Sequence, residues 1–399
     1  VSLERKILQI EGLSRKWIAA VQQELHDAQK LRRELHQTPR ISGDESDTTR
    51  RVAEAMGIDI HPVAQTGGWG RIGPQNGPAI ALRGELDALP IQEQTDVLWK
   101  SENGHMHACG HDVHLAALVA VIRAAKTLDL PFGLVPLLQP REESYPSGAL
   151  DICDSGVFDQ QSIAHAIGAH VHPGIPFGEV STGGGFVNAD ASEINILVQG
   201  DGGHGAYPQL ASDVSAAVAQ TVMGIPEIVR RSTDPMDPVV VSVGTISVGN
   251  GAANVLPGEG TIRATLRTTS RKTTEHLVAA LTRFVEFEAQ AFACRGTLHH
   301  TQGEPALVND PALAARIDRE LAELSLSSAE PMRSLGADDF SFFSDMVPSV
   351  MCFVGVTSAG RASLHDNTFL PDDGAIDRVA RTLIAGYIAA ARNLVETTE

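Results

Sequence analysis

The sequence predicts an α/β fold interrupted by a smaller α+β sandwich. Short apolar runs at 79–84, 134–138, 163–169 and 349–356 alternate with helical patterns, the order of a sheet flanked by helices. Polar residues capable of chemistry follow the ends of those runs, where open α/β sheets collect their ligands. Between about 182 and 303 the texture changes to longer alternating strands with two helices, and the first pattern then resumes. A chain of 399 residues exceeds one typical core, so two domains are expected. Their boundaries are read as 1–184 with 303–399 for the larger domain and 185–302 for the inserted one.

Each element has its own signal. Trp17, Ile18, Val21, Leu25, Ala28, Leu31 and Leu35 recur at helical spacing over 12–38, and Pro39 ends the pattern. Within it, His36 reads as a surface or packing histidine rather than a ligand. A second helix is expected around 48–56. Ala79–Gly84 is a buried strand that delivers Glu85 and Asp87 at its end. The run 115–122 reads as a buried helix, and 134–138 as a strand opening into Gln139-Pro-Arg-Glu142-Glu143. Helix 147–154 leads to strand 163–169, which ends in His170-Val-His172. In the insert, strands are expected at 192–199, 239–248, 261–267 and 296–301, with helices at 211–229 and 271–294. Gly183-Gly-Gly185 reads as a hinge, because no Lys-Ser/Thr completes a phosphate loop. Helix 311–324, strand 349–356, the segment Leu364-His365-Asp366-Asn367 and helix 373–394 complete the chain.

Composition narrows the function. A formal net charge of −18 argues against nucleic acid or an anionic membrane surface as partner. No apolar run approaches the ~20 residues of a membrane span, and Val1–Ile7 lacks an apolar signal core. Cys109, Cys153, Cys294 and Cys352 are irregularly spaced, which fits a reducing cytoplasm rather than a disulfide scaffold.

The chemistry concentrates in Gly104-His-Met-His-Ala-Cys-Gly-His-Asp-Val-His114, four histidines and one cysteine in eleven residues. Gly110 at the loop-to-helix junction lets Cys109 and His111 point to one place. A thiolate and an imidazole converging there suit a borderline-soft divalent cation such as zinc; the alternative is a polar helix start with one ordinary buried cysteine. Adjacent carboxylates at Glu142 and Glu143 allow one to bind metal while its neighbour moves protons. His170 and His365 also lie past strand ends.

The order of these motifs resembles the amidohydrolase branch of the aminoacylase and carboxypeptidase-G-type metallopeptidases, which includes hippurate hydrolases, N-acyl-diaminopimelate deacetylases and auxin-conjugate hydrolases. The resemblance covers almost the whole chain. It rests on Leu31-Arg-Arg-Glu-Leu-His36, Asp87-Ala-Leu-Pro90, His107-Ala-Cys-Gly-His-Asp112, Gln139-Pro-Arg-Glu-Glu143 and Gly202-Gly-His204, then on Asn254-Val-Leu-Pro257, Asp339-Phe340 and Leu364-His365. Each string is weak alone; their shared order is specific. The resemblance implies a mixed-sheet catalytic domain with an inserted dimerisation or lid domain. It implies two divalent ions per subunit, zinc or manganese with cobalt or nickel as alternatives, held by Cys109, His111, Glu143, His170 and His365. Glu142 would be general base and acid, and Asp87 would orient His111 from behind the metal. His204, reaching from the partner subunit of a homodimer, and Asn254 would bind the substrate carbonyl. Arg267 is a candidate anchor for a substrate carboxylate, with a structural salt bridge as the alternative.

Several residues depart from the branch pattern: Glu85 stands in place of Asp, Gln209 in place of His, Asp338 in place of Glu, and Arg141 replaces a small residue beside Glu142. Arg141 adds a cation that would lower the pKa of Glu142 or meet an anionic substrate. The expected reaction is hydrolysis of the amide C–N bond of an N-acyl amino acid or related small conjugate by metal-activated water. The competing readings are deamination of an aromatic amine on the same site, a cysteine-nucleophile hydrolase using Cys109, and a non-catalytic metal binder.

Overall fold

The computed structural model of the chain describes residues 3–249, 251–357 and 362–397. Two compact units are present: residues 1–187, 308–332 and 339–399 form the first, and 188–307 with 333–338 the second. The insert is therefore displaced from the expected 185–302. Residues 303–307 stay with the second unit because Ala191 and the 303–304 segment exchange two main-chain hydrogen bonds of 2.8 Å. Residues 333–338 return to it through the bridge between Asn188 and Ser334 and the bond from Ala189 N–H to the Gly336 carbonyl.

The first unit is built on an eight-stranded mixed sheet. Its order is His61–Val63, Gly67–Trp69, Gly133–Gln139, Ala79–Glu85, Ile163–His172, Ser349–Gly355, Glu179–Ser181 and Ser327–Ser328. The four central strands run parallel. Three of them, Gly133–Gln139, Ala79–Glu85 and Ser349–Gly355, are buried at every residue, which is why they read as continuous apolar runs instead of alternating ones. Helix His111–Ala125 is buried at all positions but Arg123. It packs against Leu13–Gln37 and Ala375–Glu396, and Trp17 donates its indole N–H to the Val121 carbonyl at 2.9 Å. The parallel strands share one direction, so the segments after Glu85, Gln139 and His170 emerge at the same edge.

The second unit is an antiparallel sheet in the order Val240–Val248, Glu259–Thr268, Asp190–Gln199, Arg295–Gln302. Ile194, Ile196, Val198, Ile262 and Leu266 form a core with Val214, Val218, Leu277 and Leu281 of helices Val214–Ser232 and Arg271–Ala291. Strict burial alternation from Ile262 to Leu266 follows from one covered and one open face. Among the described residues, no helix is long and apolar enough to cross a membrane.

Candidate metal centre

Gly110 sets the local geometry. It precedes helix His111–Ala125 with φ +85°, and a Cβ there would lie 2.4 Å from Cγ2 of Val171. Only glycine fits both constraints, and the turn it makes brings Cys109 and His111 together. Donor atoms of Cys109, His111 and Glu143 all lie within 4.8 Å of one another. Cys109 Sγ is 3.3 Å from Nε2 of His170, and Glu143 Oε1 is 3.2 Å from Nε2 of His365. His365 is held with φ +66°, and its main-chain N–H donates to the Ala108 carbonyl at 2.9 Å, which joins its loop to the cysteine segment. The five donors expected from the sequence thus come to one place in the first unit.

Protonation is fixed by the backbone. Nδ1 of His111 lies 2.8 Å from the Asp87 carbonyl, and Nδ1 of His170 lies 2.7 Å from the Val171 carbonyl. A carbonyl only accepts, so both Nδ1 atoms carry hydrogen and Nε2 is the atom each ring turns toward a metal. Nε2 of His111 is buried and has no hydrogen-bond partner among the described residues. Burial, reinforced by nearby His114, pushes His170 well below the usual imidazole range, so it is a neutral donor. Burial, followed by the charges of Glu143, Glu142 and Glu85, pushes the Cys109 thiol well above its usual range. These features fit a divalent cation: a neutral His170, a His111 whose pKa is lowered by burial but raised on balance by the charges of Glu85, Asp87 and Glu143 that a cation would also meet, a thiol whose ionisation needs a positive charge beside it, and a carboxylate.

His114 is close by but is not available as a ligand. It accepts the Val171 N–H on Nε2 at 2.9 Å, so Nδ1 donates to Glu85 Oε2 at 3.1 Å. Both nitrogens are occupied. Glu85 also pairs with Arg83, whose guanidinium reaches Asp339 at 3.1 Å.

Two expectations change. Asp87 meets His111 through its main-chain oxygen, while its carboxylate stays 3.7 Å from Nδ1. That carboxylate instead accepts the Ser42 hydroxyl at 2.7 Å and the Glu143 N–H at 3.0 Å. Arg141 is buried, and its guanidinium is taken by Asp151 and by the Pro146 and Ala64 carbonyls. It is a structural cation. Glu142 lies beside the donors, with Oε2 3.7 Å from Nε2 of His111.

Sequence reasoning read His36 as a surface or packing histidine and missed its carboxylate partners. It is buried between Asp112 and Glu93, 3.1 Å from each. The remaining expected residues lie in the second unit. His204 and Asn254 are neighbours in a short ribbon, with His204 paired to Val255 and the Gly205 N–H donating to the Asn254 carbonyl at 2.9 Å. Arg267 sits on strand Glu259–Thr268, and its Nη1 is buried with no hydrogen-bond partner among the described residues.

The chain is similar to known proteins over most of its length. It is 31% identical over 377 residues to an N-acetyl-L-cysteine deacetylase of Bacillus subtilis, covering 92% of this chain and 88% of that one. A longer Rhodococcus jostii protein bearing a glutamate–cysteine ligase name is 33% identical over 372 residues, and the chain spans 46% of its length. Among solved structures, a dinuclear metal-binding peptidase from Bacillus subtilis superposes with a TM-score of 0.81 at 25% identity, covering 93% of this chain and 99% of that one. Residues 81–385, which contain all five donors and Glu142, match the peptidase family M20/M25/M40. The chain belongs to that family, hydrolases of amide C–N bonds.

Proposed function

We propose that the protein is a metal-dependent amidohydrolase that cleaves the amide bond of an N-acyl amino acid or a related small conjugate. The observation that carries this reading is the buried, unpartnered Nε2 of His111 among Cys109 and Glu143, with Glu142 Oε2 3.7 Å away. The proposed cofactor is a pair of divalent ions, zinc or manganese, with cobalt or nickel as alternatives. Such ions polarise a carbonyl and acidify water toward neutral pH. Cys109, His111, Glu143, His170 and His365 would hold them. Glu142 takes a proton from the attacking water and passes it to the leaving nitrogen. Asp87 keeps the Glu143 segment and the His111 ring in place.

In the same reading, His204 of the partner subunit and Asn254 would bind the carbonyl oxygen and Arg267 a substrate carboxylate; the unpaired Nη1 of Arg267 supports the last. The substrate is a small molecule, with neither nucleic acid nor membrane as partner, and the compartment is the cytoplasm. The inserted unit is proposed to join two chains. Its edge strand Val240–Val248 leaves Val240 and Ile246 exposed, and Met223 is exposed on helix Val214–Ser232; an open strand edge favours pairing.

The testing experiment is a panel of N-acyl amino acids and aryl amines, assayed after chelation and after separate add-back of each metal. Loss with chelator and recovery with metal on the acyl substrates is expected. Turnover confined to aryl amines would favour the deaminase reading. Activity that survives chelation and disappears on thiol alkylation would replace it with the Cys109-nucleophile reading. The protonated thiol and neutral His170 described above oppose that alternative.

A further inference from the structure

Arg32 and His36 lie one turn apart on helix Leu13–Gln37, fully buried, and neither is among the metal donors. Both nitrogens of His36 face carboxylates, Asp112 Oδ2 and Glu93 Oε1, each at 3.1 Å. A carboxylate only accepts, so both nitrogens carry hydrogen and the ring is cationic. Trp99 meets it edge-on at 4.9 Å. Nε of Arg32 donates to the same Asp112 oxygen at 3.1 Å, Nη1 to Asp373 at 2.9 Å and Nη2 to the Pro371 carbonyl at 2.7 Å.

These partners lead to two ligand-bearing segments. Asp112 follows His111 directly, in the first turn of its helix. Glu93 precedes Gln94, whose N–H donates to the Asn367 carbonyl at 2.8 Å, two residues past His365. Pro371 and Asp373 continue that same segment. One helix therefore holds the residue beside His111 with one set of bonds and the His365 segment with another.

We propose that Arg32 and His36 are positioning residues that fix the Cys109–His111 junction relative to His365 and thereby set metal affinity. The inference rests on the metal reading above. Groups that hold ligands from behind typically alter metal affinity by about 10- to 100-fold. Simple helix packing is a different matter. Trp17, on the same helix, bonds Val121, far along helix His111–Ala125 from its first turn, and packs on Tyr387, with its indole N–H spent there and not on Asp112 or the His365 segment.

The test compares His36→Gln with Trp17→Phe in the full chain, measuring thermal unfolding and Zn2+ affinity of metal-stripped protein by competition with a chromogenic chelator. His36→Gln is expected to hold its weaker Zn2+ about 10- to 100-fold less tightly, while Trp17→Phe keeps wild-type affinity despite its lower unfolding temperature. Equal affinity in His36→Gln and wild type overturns the proposal, and so does a comparable loss in Trp17→Phe. If His36→Gln does not fold, Glu93→Gln decides. It strips the charge from the link toward His365 while leaving Asp112 paired with Arg32, and wild-type affinity in that variant overturns the proposal. A wild-type chain that binds no Zn2+ sinks the metal reading and this inference together. Normal wild-type binding with unaffected variants removes only the positioning role.

Discussion

The main-chain N–H of Glu143 donates to Oδ2 of Asp87 across 3.0 Å. The same residue offers its own carbonyl to His111, so a single strand-end aspartate holds a carboxylate segment and an imidazole at once. Asp87→Ala leaves the carbonyl in place but removes the acceptor for Glu143. Metal affinity should fall about 10- to 100-fold, with the fold retained by circular dichroism. Unchanged binding in a metal titration would show that the Glu143 segment needs no such tether.

Glu142→Gln keeps the shape of the side chain and removes its basicity. Turnover should drop by about 10² to 10⁴, while metal content by elemental analysis stays at the wild-type level. Near-full turnover in this variant would remove Glu142 from the mechanism.

Gly110→Ala combines a left-handed backbone with a Cβ 2.4 Å from Val171. The backbone penalty and the overpacking together should cost about 2–5 kcal/mol, read from denaturant unfolding. Metal binding should weaken in the same variant, because Cys109 and His111 flank the turn.

His36 makes stability depend on pH. Burial opposes its charge, but the hydrogen bonds and charges of Asp112 and Glu93 outweigh burial and hold its pKa at about 9. Arg32 faces the same Asp112 oxygen, and nearby His107, pushed down to about 3 mainly by burial, stays neutral. A folded pKa above the unfolded value of 6.5 contributes stability that is complete below pH 6.5 and lost as pH rises through 9. The loss should be roughly 3 kcal/mol across that window. Unfolding of metal-stripped protein between pH 6 and 10 should show it for wild type, and His36→Gln should flatten it.

Much of this was legible beforehand because it depends on local pattern. The apolar run at 115–122 announced a helix observed at His111–Ala125, and the run at 134–138 a strand observed at Gly133–Gln139. Residues beyond strand ends pointed to the donors because parallel strands open at one edge. Strands such as Glu179–Ser181 and Ser327–Ser328 are too short to leave a periodic signal. Helical spacing placed His36 on a face, yet its partners lie 57 and 76 residues away. Arg141 misled for a conformational reason. Its φ of +49° is invisible in the sequence, and its guanidinium is spent on Asp151 and two carbonyls.

His111 and His170 both give their Nδ1 hydrogen to main-chain carbonyls. Ring orientation is consequently written into the chain's path and not into any exchangeable neighbour. Surrounding side chains can be exchanged while these two rings keep facing inward. Rerouting the peptide at Asp87 or Val171 is the change that would turn them.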